Sequence, residues 1–316
     1  MNIADSVVNW LLEDENPSVK ARTLTELLDV PPDDPRLAQA RAGIPASKPV
    51  RKIFDKMHPE GYWLFRGEGE GVAYAHASTT HFVLAYLAEL GINRSDERVA
   101  RAVERYLSLK ARPGVDVNLW QIPPDYRNLQ SCLYAYNLRT FIRLGYREDA
   151  RTQERVAVLL DDRRFDGGYL CRRPSFKTRT KSCIRGTIKA LTAFAELPEL
   201  WQTSRCQELV DYFLRRRVFY RTDTPDQVMR SELTCTTFPF VINGSLLEPL
   251  VALSYMGYGQ HPALEPAWEV LETKKDAQGR YIADKILATY FEAGIKGQPN
   301  KWVTLYAYLA IKYRGG

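Results

Sequence analysis

Apolar and charged positions repeat along this chain on a long period. Four stretches, His81–Leu107, Cys132–Leu160, Cys183–Leu214 and Ser245–Glu272, share one plan. Each is an apolar run, a short break at Gly91, Gly145, Pro198 or Gly257, and a charged amphipathic run. The units recur about every 50 residues, a spacing that suits stacked helix pairs with an extra connection. The two runs of a unit differ in kind. From Phe82 to Leu90 nearly every position is apolar, which predicts a helix buried on all sides. In the next run Val99, Ala102, Val103, Tyr106 and Leu107 form one dry stripe, while Arg98, Arg101, Glu104 and Arg105 take the other face. Ser95 is placed to cap it, and Asp96 and Glu97 suit the positive end of its dipole.

An inner ring of buried helices inside an outer ring of amphipathic ones satisfies both patterns. The pattern puts 78–90, 131–144, 182–196, 245–256 and 302–313 inside, and 96–109, 149–161, 203–217 and 263–273 outside. Val7–Leu12 and Val19–Leu28 read as a first hairpin with Pro17 in its break, and Pro49–Met57 as a further outer helix. The run Trp302–Tyr313 has no outer partner after it and is expected to pair with the N-terminal segment. The fold class is therefore all-α, with about six inner helices, as one domain over 1–316. Pro249 is tolerated if its helix begins near Ser245, because first-turn amides have no intrahelical partner. Ser245 and Glu248 then have capping-box spacing, with Glu248 as a cap or, alternatively, as an acid facing a pocket.

Composition narrows the class. No apolar run reaches about 18 residues, so no membrane span is expected. The first residues carry Asp5, Glu13, Asp14 and Glu15 in place of a basic leader. The 5 cysteines are scattered and odd in number, unlike a disulfide framework, so reduced thiols and a cytoplasmic location are expected. A net charge of +6 is too modest to imply nucleic acid.

The segments WLLEDENPSVKARTLTELL (10–28), HPEGYW (58–63), DGGYLCR (166–172), KSCIRGTIKAL (181–191) and KWVTLYAYLAIK (301–312) resemble the terpene-cyclase and protein-prenyltransferase α/α toroids. The likeness is to the small single-domain squalene-cyclase-like proteins of prokaryotes. HPEGYW, DGGY and DAQGRY (276–281) are similar to the glycine-turn-and-aromatic loop that punctuates such repeats. The family's two familiar chemistries lack their motifs here. No DxDD is present to protonate an alkene, and Asp161-Asp162 is followed by Arg163, Arg164 and Phe165, so no DDxxD holds magnesium. The resemblance to prenyltransferases goes further. Gly167-Gly168-Tyr169 matches their loop, the basic residues after it match diphosphate ligands, and Cys183 matches the zinc-binding cysteine. Lys181 stands where their aspartate would be, so the zinc set is incomplete and no metal site is assigned.

Cys132 and Cys183 begin consecutive inner helices, Cys235 precedes the next, and His81 begins the one before. Two readings are open: a reactive or metal-binding cluster at helix N-termini, or small buried side chains where helices crowd. The basic stretch Arg172, Arg173, Lys177, Arg179, Lys181 and Arg185 contains no acid and leads into a helix start, a suitable seat for an anionic head group. Trp63, Tyr74, His81, Cys132, Tyr136, Tyr169, Cys183, Cys235 and Trp302 are the expected cavity lining. These features imply a small apolar or lipid-like, isoprenoid-type ligand with an anionic head. A toroid that binds a protein or peptide is the alternative. A carbohydrate-active barrel would need paired acids, for which Glu68, Glu70, Asp116 and Asp125 are the candidates.

Overall fold

The computed structural model describes residues 3–63, 78–108, 110–112, 115–118, 131–161, 164–169, 182–240, 244–287 and 293–315. The helices are α1 (Asp5–Leu11), α2 (Pro17–Arg22), α3 (Pro35–Gly43), α4 (Lys48–Phe54), α5 (Thr80–Glu89), α6 (Glu97–Ser108) and α7 (Ser131–Phe141). Then follow α8 (Ala150–Asp161), α9 (Ile184–Phe194), α10 (Ser204–Leu214), α11 (Leu247–Tyr255), α12 (Glu265–Glu272) and α13 (Lys301–Arg314). α2 and α7 each continue into a π-helical turn, Thr23–Leu27 and Ile142–Tyr146. Strands among the described residues are short: β1 (Lys110–Arg112) pairs antiparallel with β2 (Val115–Asn118), and β3 (Thr237–Phe238) pairs parallel with β4 (Lys285–Ile286).

The fold is an α/α toroid. α5 packs on α7, α7 on α9, α9 on α11, α11 on α13, and α13 on α2 with its π-turn. Ser18 Oγ donates to the Leu90 carbonyl at 2.7 Å, which closes the ring between α2 and α5. Every residue of α5 is buried, as is α13 from Lys301 to Ala310. The amphipathic α6 buries Val99, Ala102, Val103 and Tyr106 and exposes Arg98, Arg101 and Glu104. α13 does pair with the N-terminal segment: it packs on α1, and Lys301 Nζ lies 2.7 Å from both Glu13 and Glu15. One local expectation is corrected and one open alternative is decided. The cap of α6 is Asp96, whose Oδ1 accepts the Arg98 amide at 3.0 Å, because Ser95 lies one residue too early. In α11 the Ser245 hydroxyl does accept the Glu248 amide, at 3.4 Å, but the Glu248 side chain turns into the ring.

The three glycine-turn loops share one geometry. The first residue (His58, Arg164 or Asp276) donates its amide to the carbonyl four residues on, at 2.8–3.0 Å. The glycine at the fourth position (Gly61, Gly167, Gly279) has φ of 91°, 83° and 82°, a region open to glycine without cost. The aromatic that follows (Trp63, Tyr169, Tyr281) gives its amide to a threonine hydroxyl in the first turn of the next inner helix, at 2.9, 3.0 and 2.8 Å. Trp63 Nε1 and the Tyr169 hydroxyl reach back to outer-helix carbonyls, Ile53 at 2.8 Å and Leu159 at 2.6 Å. The first two loops thus rivet an outer helix to the inner helix that follows, whereas in the third the buried Tyr281 hydroxyl makes no such bond.

Candidate functional site

The threonine contacts fix the N-terminal ends of α5, α9 and α13 at one rim. The connections that begin and end at that rim are long: 55–79, 109–130, 162–183, 215–246 and 273–300. Those at the other rim, such as 90–96, 195–203 and 256–264, are short. Ligand contacts concentrate on connections carried by a rigid scaffold, so the long-connection rim is the candidate binding face.

At the opposite end the inner helices converge on a buried ionic cluster. Glu89, at the end of α5, accepts from Arg22 Nη1 at 3.2 Å, from Arg143 Nη1 at 3.1 Å, from Arg139 Nη1 and from the Tyr306 hydroxyl. Glu196 pairs with Arg143 Nε at 2.6 Å and Arg139 Nε at 3.3 Å, and Glu26 with Arg22 Nε at 2.5 Å. Three arginines meet three acids, so the cluster is balanced, and the arginines sit where helix C-termini favour cations. The two π-turns flank it, carrying Glu26 and Arg143. Burial opposes ionisation of Glu89, but Arg139, Arg143 and Arg22, with the Tyr306 hydrogen bond, outweigh it and hold its carboxyl far below the usual range.

Beside this cluster lies a cavity with about 30 Å³ of room for water centres. Arg139, Arg143 and Glu196 border it on one side, and the buried pair of Lys189 on α9 and Glu248 on α11 on the other. Tyr136, Phe240, Tyr255 and Tyr306 supply ring faces. Above it the aromatics form a layer. His81 and Tyr136 have ring centroids 4.9 Å apart, Phe240 and Tyr306 4.6 Å, and Phe238 stacks on Trp302 at 4.6 Å and 5°. The Tyr136 hydroxyl donates to the Phe240 carbonyl at 2.9 Å. His81 Nδ1 lies 3.1 Å from the Tyr106 hydroxyl, and burial, with Lys189 nearby, pushes its pKa down to about 3 against an opposing bond to Asn137.

The expected lining is therefore divided. Tyr136 borders the cavity, while His81 and Trp302 belong to the aromatic layer without bordering it. Trp63 and Tyr169 are buried between the rings as rivets and do not border the cavity, because their polar ends are committed to outer helices. Cys183 is the half-buried N-cap of α9, with no side-chain cap bond, and gives its amide to the Tyr169 carbonyl at 2.7 Å. Cys235, also half-buried, directs its thiol to the Ser231 carbonyl at 3.3 Å. Among the described residues no group of three His, Cys, Asp or Glu side chains could hold a metal. Arg185 lies mostly buried with Nη2 3.9 Å from Glu232, an acid that comes from the 215–246 connection and is invisible in the local charge run. Tyr74, Arg172, Arg173, Lys177, Arg179, Lys181, Glu68, Glu70, Asp125 and the Asp116 and Cys132 side chains lie outside the described residues. The charged residues that sequence reading missed are Arg22, Glu89, Arg139, Arg143, Lys189 and Glu196. Their signal was a lone charge inside an otherwise apolar helix, as Glu89 is in Phe82–Leu90.

No protein-family model matches the chain, and no curated protein is similar to it in sequence. Solved structures do resemble it. A glycosyl hydrolase of family 88 from Bacteroides vulgatus superposes with a TM-score of 0.50 at 14% identity, over 96% of this chain and 90% of that one. A type II terpene cyclase from Scytonema, in complex with merosterolic acid A, gives a TM-score of 0.31 at 15% identity, over 89% of this chain and 97% of that one. At such identity the likeness is one of fold, and the class it defines is the α/α toroid. No helix among the described residues is long and apolar enough to cross a membrane.

Proposed function

We propose that this chain binds an elongated apolar ligand with an anionic head, isoprenoid-like in character, entering from the long-connection rim. The observation that carries the reading is the order of polarity along the ring. Paired charges close the end where the inner helices finish, and the aromatic layer lies above them. The connection leading into α9 brings Arg172, Arg173, Lys177, Arg179, Lys181 and Arg185 with no acid among them. The first amides of α9 have no side-chain cap and favour an anion in the same place. With the aromatic layer and the small cavity beneath it, the tail lies between that layer and the rim.

Glycoside hydrolysis, the activity named for the Bacteroides protein, is less well supported. It needs a carboxylic acid that stays protonated near neutral pH opposite a second carboxylate. The acids named for that role, Glu68, Glu70, Asp116 and Asp125, have side chains outside the described residues, and the buried Glu89 is held ionised by three arginines. Calorimetry with farnesyl and geranylgeranyl diphosphate tests the proposal. Affinity should rise with chain length, by about 0.8 kcal/mol per buried methylene at most, and fall moderately with salt. The double substitution Arg179→Ala, Lys181→Ala should weaken binding while leaving the thermal transition in place. No binding of either diphosphate, or unchanged affinity in the double variant, rejects the reading in favour of a toroid that binds a protein or peptide.

A further inference from the structure

We propose that one sector of the long-connection rim, formed by 162–183, 215–246 and 273–300, docks on an anionic lipid bilayer, with Phe165 and Ile295 entering it. Among the described residues three large apolar side chains are exposed: Leu28 at 37%, Phe165 at 77% and Ile295 at 72%. The last two lie on this sector. Phe165 is the second residue of its glycine turn, a position held by Pro59 and Ala277 in the other two turns, so the turn does not require an aromatic there. Backbone bonds hold it: the Arg164 amide donates to the Gly168 carbonyl at 3.0 Å and the Gly167 amide to the Arg164 carbonyl at 2.9 Å. Ile295 stands with Lys296 on an exposed tip between Gly294 and Gly297, whose φ values are 126° and 78°. Single exposed apolar residues are common on any surface, so what surrounds these two decides their meaning.

The three connections form one surface. Asp166, next to Phe165, accepts Arg215 Nη2 at its carbonyl at 3.1 Å, and its carboxylate lies 3.5 Å from Arg216 Nη2. β3 in 215–246 pairs with β4 in 273–300, Thr237 opposite Lys285 and Phe238 opposite Ile286. In sequence these connections hold 17 Lys and Arg against 8 Asp and Glu, a larger surplus than the +6 of the whole chain. Ion pairing does not cancel it. Of the six acids described there, five are matched: Asp166 with Arg216, Asp226 with Arg217, Glu232 with Arg230, Asp276 with Arg280 and Asp284 with Lys274. The sixth, Asp223, accepts from the Thr224 hydroxyl at 3.4 Å. Arg215, Arg221, Lys285 and Lys296 are all exposed and make no ion pair among the described residues. On the same rim 12–16 and 55–79 hold more acid than base, so the positive charge is confined to one side. Cations beside protruding apolar tips fit a layer whose surface is anionic and whose interior is apolar. The cations meet lipid phosphates while the tips cross to the acyl boundary. Nucleic acid would use the cations and leave Ile295 in water, and a folded partner would need a separate pocket for each tip.

The test is flotation of the whole chain with vesicles of phosphatidylcholine alone, or of phosphatidylcholine and phosphatidylglycerol in equal parts. These vesicles hold no polyprenyl lipid, so the result is separate from calorimetry with the diphosphates, and either reading can fail alone. The wild-type protein should float with the anionic vesicles, less so as salt rises, and stay in solution with the neutral ones. Each Lys or Arg near an anionic surface changes partition about fivefold, and a fully buried Phe or Ile side chain about tenfold or more. Phe165→Ser with Ile295→Ser should therefore lower partition about tenfold or more, and Arg221→Glu with Lys296→Glu should do the same. Both pairs should keep the thermal transition, because all four side chains are exposed. Arg221→Lys with Lys296→Arg keeps the charge and should float as the wild type does. Absence of flotation with anionic vesicles, equal flotation with neutral ones, or wild-type partition in either lowering pair would overturn the proposal. Wild-type partition in the serine pair together with displacement by duplex RNA would assign the sector to nucleic acid instead.

Discussion

Replacing Glu89 by glutamine tests whether the ionic cluster holds the ring closed. The substitution keeps the shape of the side chain and removes one charge. In the wild-type protein that charge faces Arg22, Arg139 and Arg143 at 4% exposure, and it joins α5 to α2, α7 and, through Tyr306, α13. The neutral amide leaves three buried guanidiniums facing only Glu26 and Glu196. Removing one partner from a buried ion cluster typically costs about 3–5 kcal/mol, chiefly through the charge left uncompensated. In a domain of this size that lowers Tm by on the order of 10 °C. Urea unfolding followed by circular dichroism gives the free-energy difference directly. The acid limb offers a second reading. The folded carboxyl of Glu89 sits below its unfolded value, so the unfolded chain takes up the proton first as pH falls. The stabilisation is complete above the ordinary carboxylate range and drains away as pH drops through that range toward the depressed folded value. The Glu89→Gln protein should lose that part of the acid slope as well as the stability. A loss below about 0.5 kcal/mol, the range of ordinary surface changes, or an unchanged slope below about pH 5, would refute the cluster's role in ring closure.

Two further outcomes follow from single residues. Gly167→Ala should destabilise the protein by more than about 2 kcal/mol, since positive φ alone costs roughly 1–2 kcal/mol. The new Cβ would also meet the Glu208 carbonyl oxygen at 2.7 Å, whereas Gly257→Ala, with φ of 89° and nothing within 4 Å, should show the strain alone; parallel urea titrations compare them. His81, buried with a pKa pushed down to about 3, should stay neutral in proton NMR from about pH 8 to about pH 5, and a ring titrating near 6.5 would contradict its burial. Its neutral burial stabilises the fold fully above the unfolded histidine pKa, and that contribution is lost as pH falls from there toward 3.

The ring architecture was legible because solvent sorts side chains by helix face. A run apolar on every side, such as Phe82–Leu90, has nowhere to go except inside, and a one-striped run such as 97–108 must lie across it. The glycine-turn loops were legible for a similar reason: a positive-φ glycine two residues before an aromatic is a local requirement of the backbone. The ionic cluster was not read, although its members were visible as odd charges. Glu89, Lys189 and Glu248 each stand in a helix with no wet face, so they had to point inward. What the sequence could not supply was their pairing, because Arg22 and Glu89 or Lys189 and Glu248 are brought together only by ring closure. Arg185 makes the converse case. Its neighbours contain no acid, yet Glu232 approaches it from a different connection. Trp63 and Tyr169 were placed on the cavity because aromatics near helix starts fit a lining, but an indole N–H or phenol O–H bound to an outer-helix carbonyl commits the ring to the space between layers.

The two ends of the ring use positive charge in opposite ways. Where α5 and α7 finish, exposed carbonyls favour cations, and Arg22, Arg139 and Arg143 answer both those carbonyls and three acids. That end is electrically settled. Where α9 begins, no side chain caps the first amides, and the residues that lead into the helix are basic in sequence. Cations at a helix N-terminus destabilise the helix unless an anion joins them, by a few tenths of a kcal/mol to about 1 kcal/mol each. On the proposed reading the basic residues that lead into this terminus meet an anionic ligand, apart from Arg185, which lies 3.9 Å from Glu232. An anion arriving there relieves the repulsion and stabilises the fold by the mass-action term RT ln(1 + [L]/Kd), about 2.7 kcal/mol at a hundredfold excess over Kd. Inorganic diphosphate should accordingly raise Tm, and the Arg179→Ala, Lys181→Ala protein should start from a Tm equal to or above the wild type and gain less from the ion. A double variant less stable than the wild type without ligand would mean that these residues are internal partners of the fold, and the rim would lose its case as an anion seat.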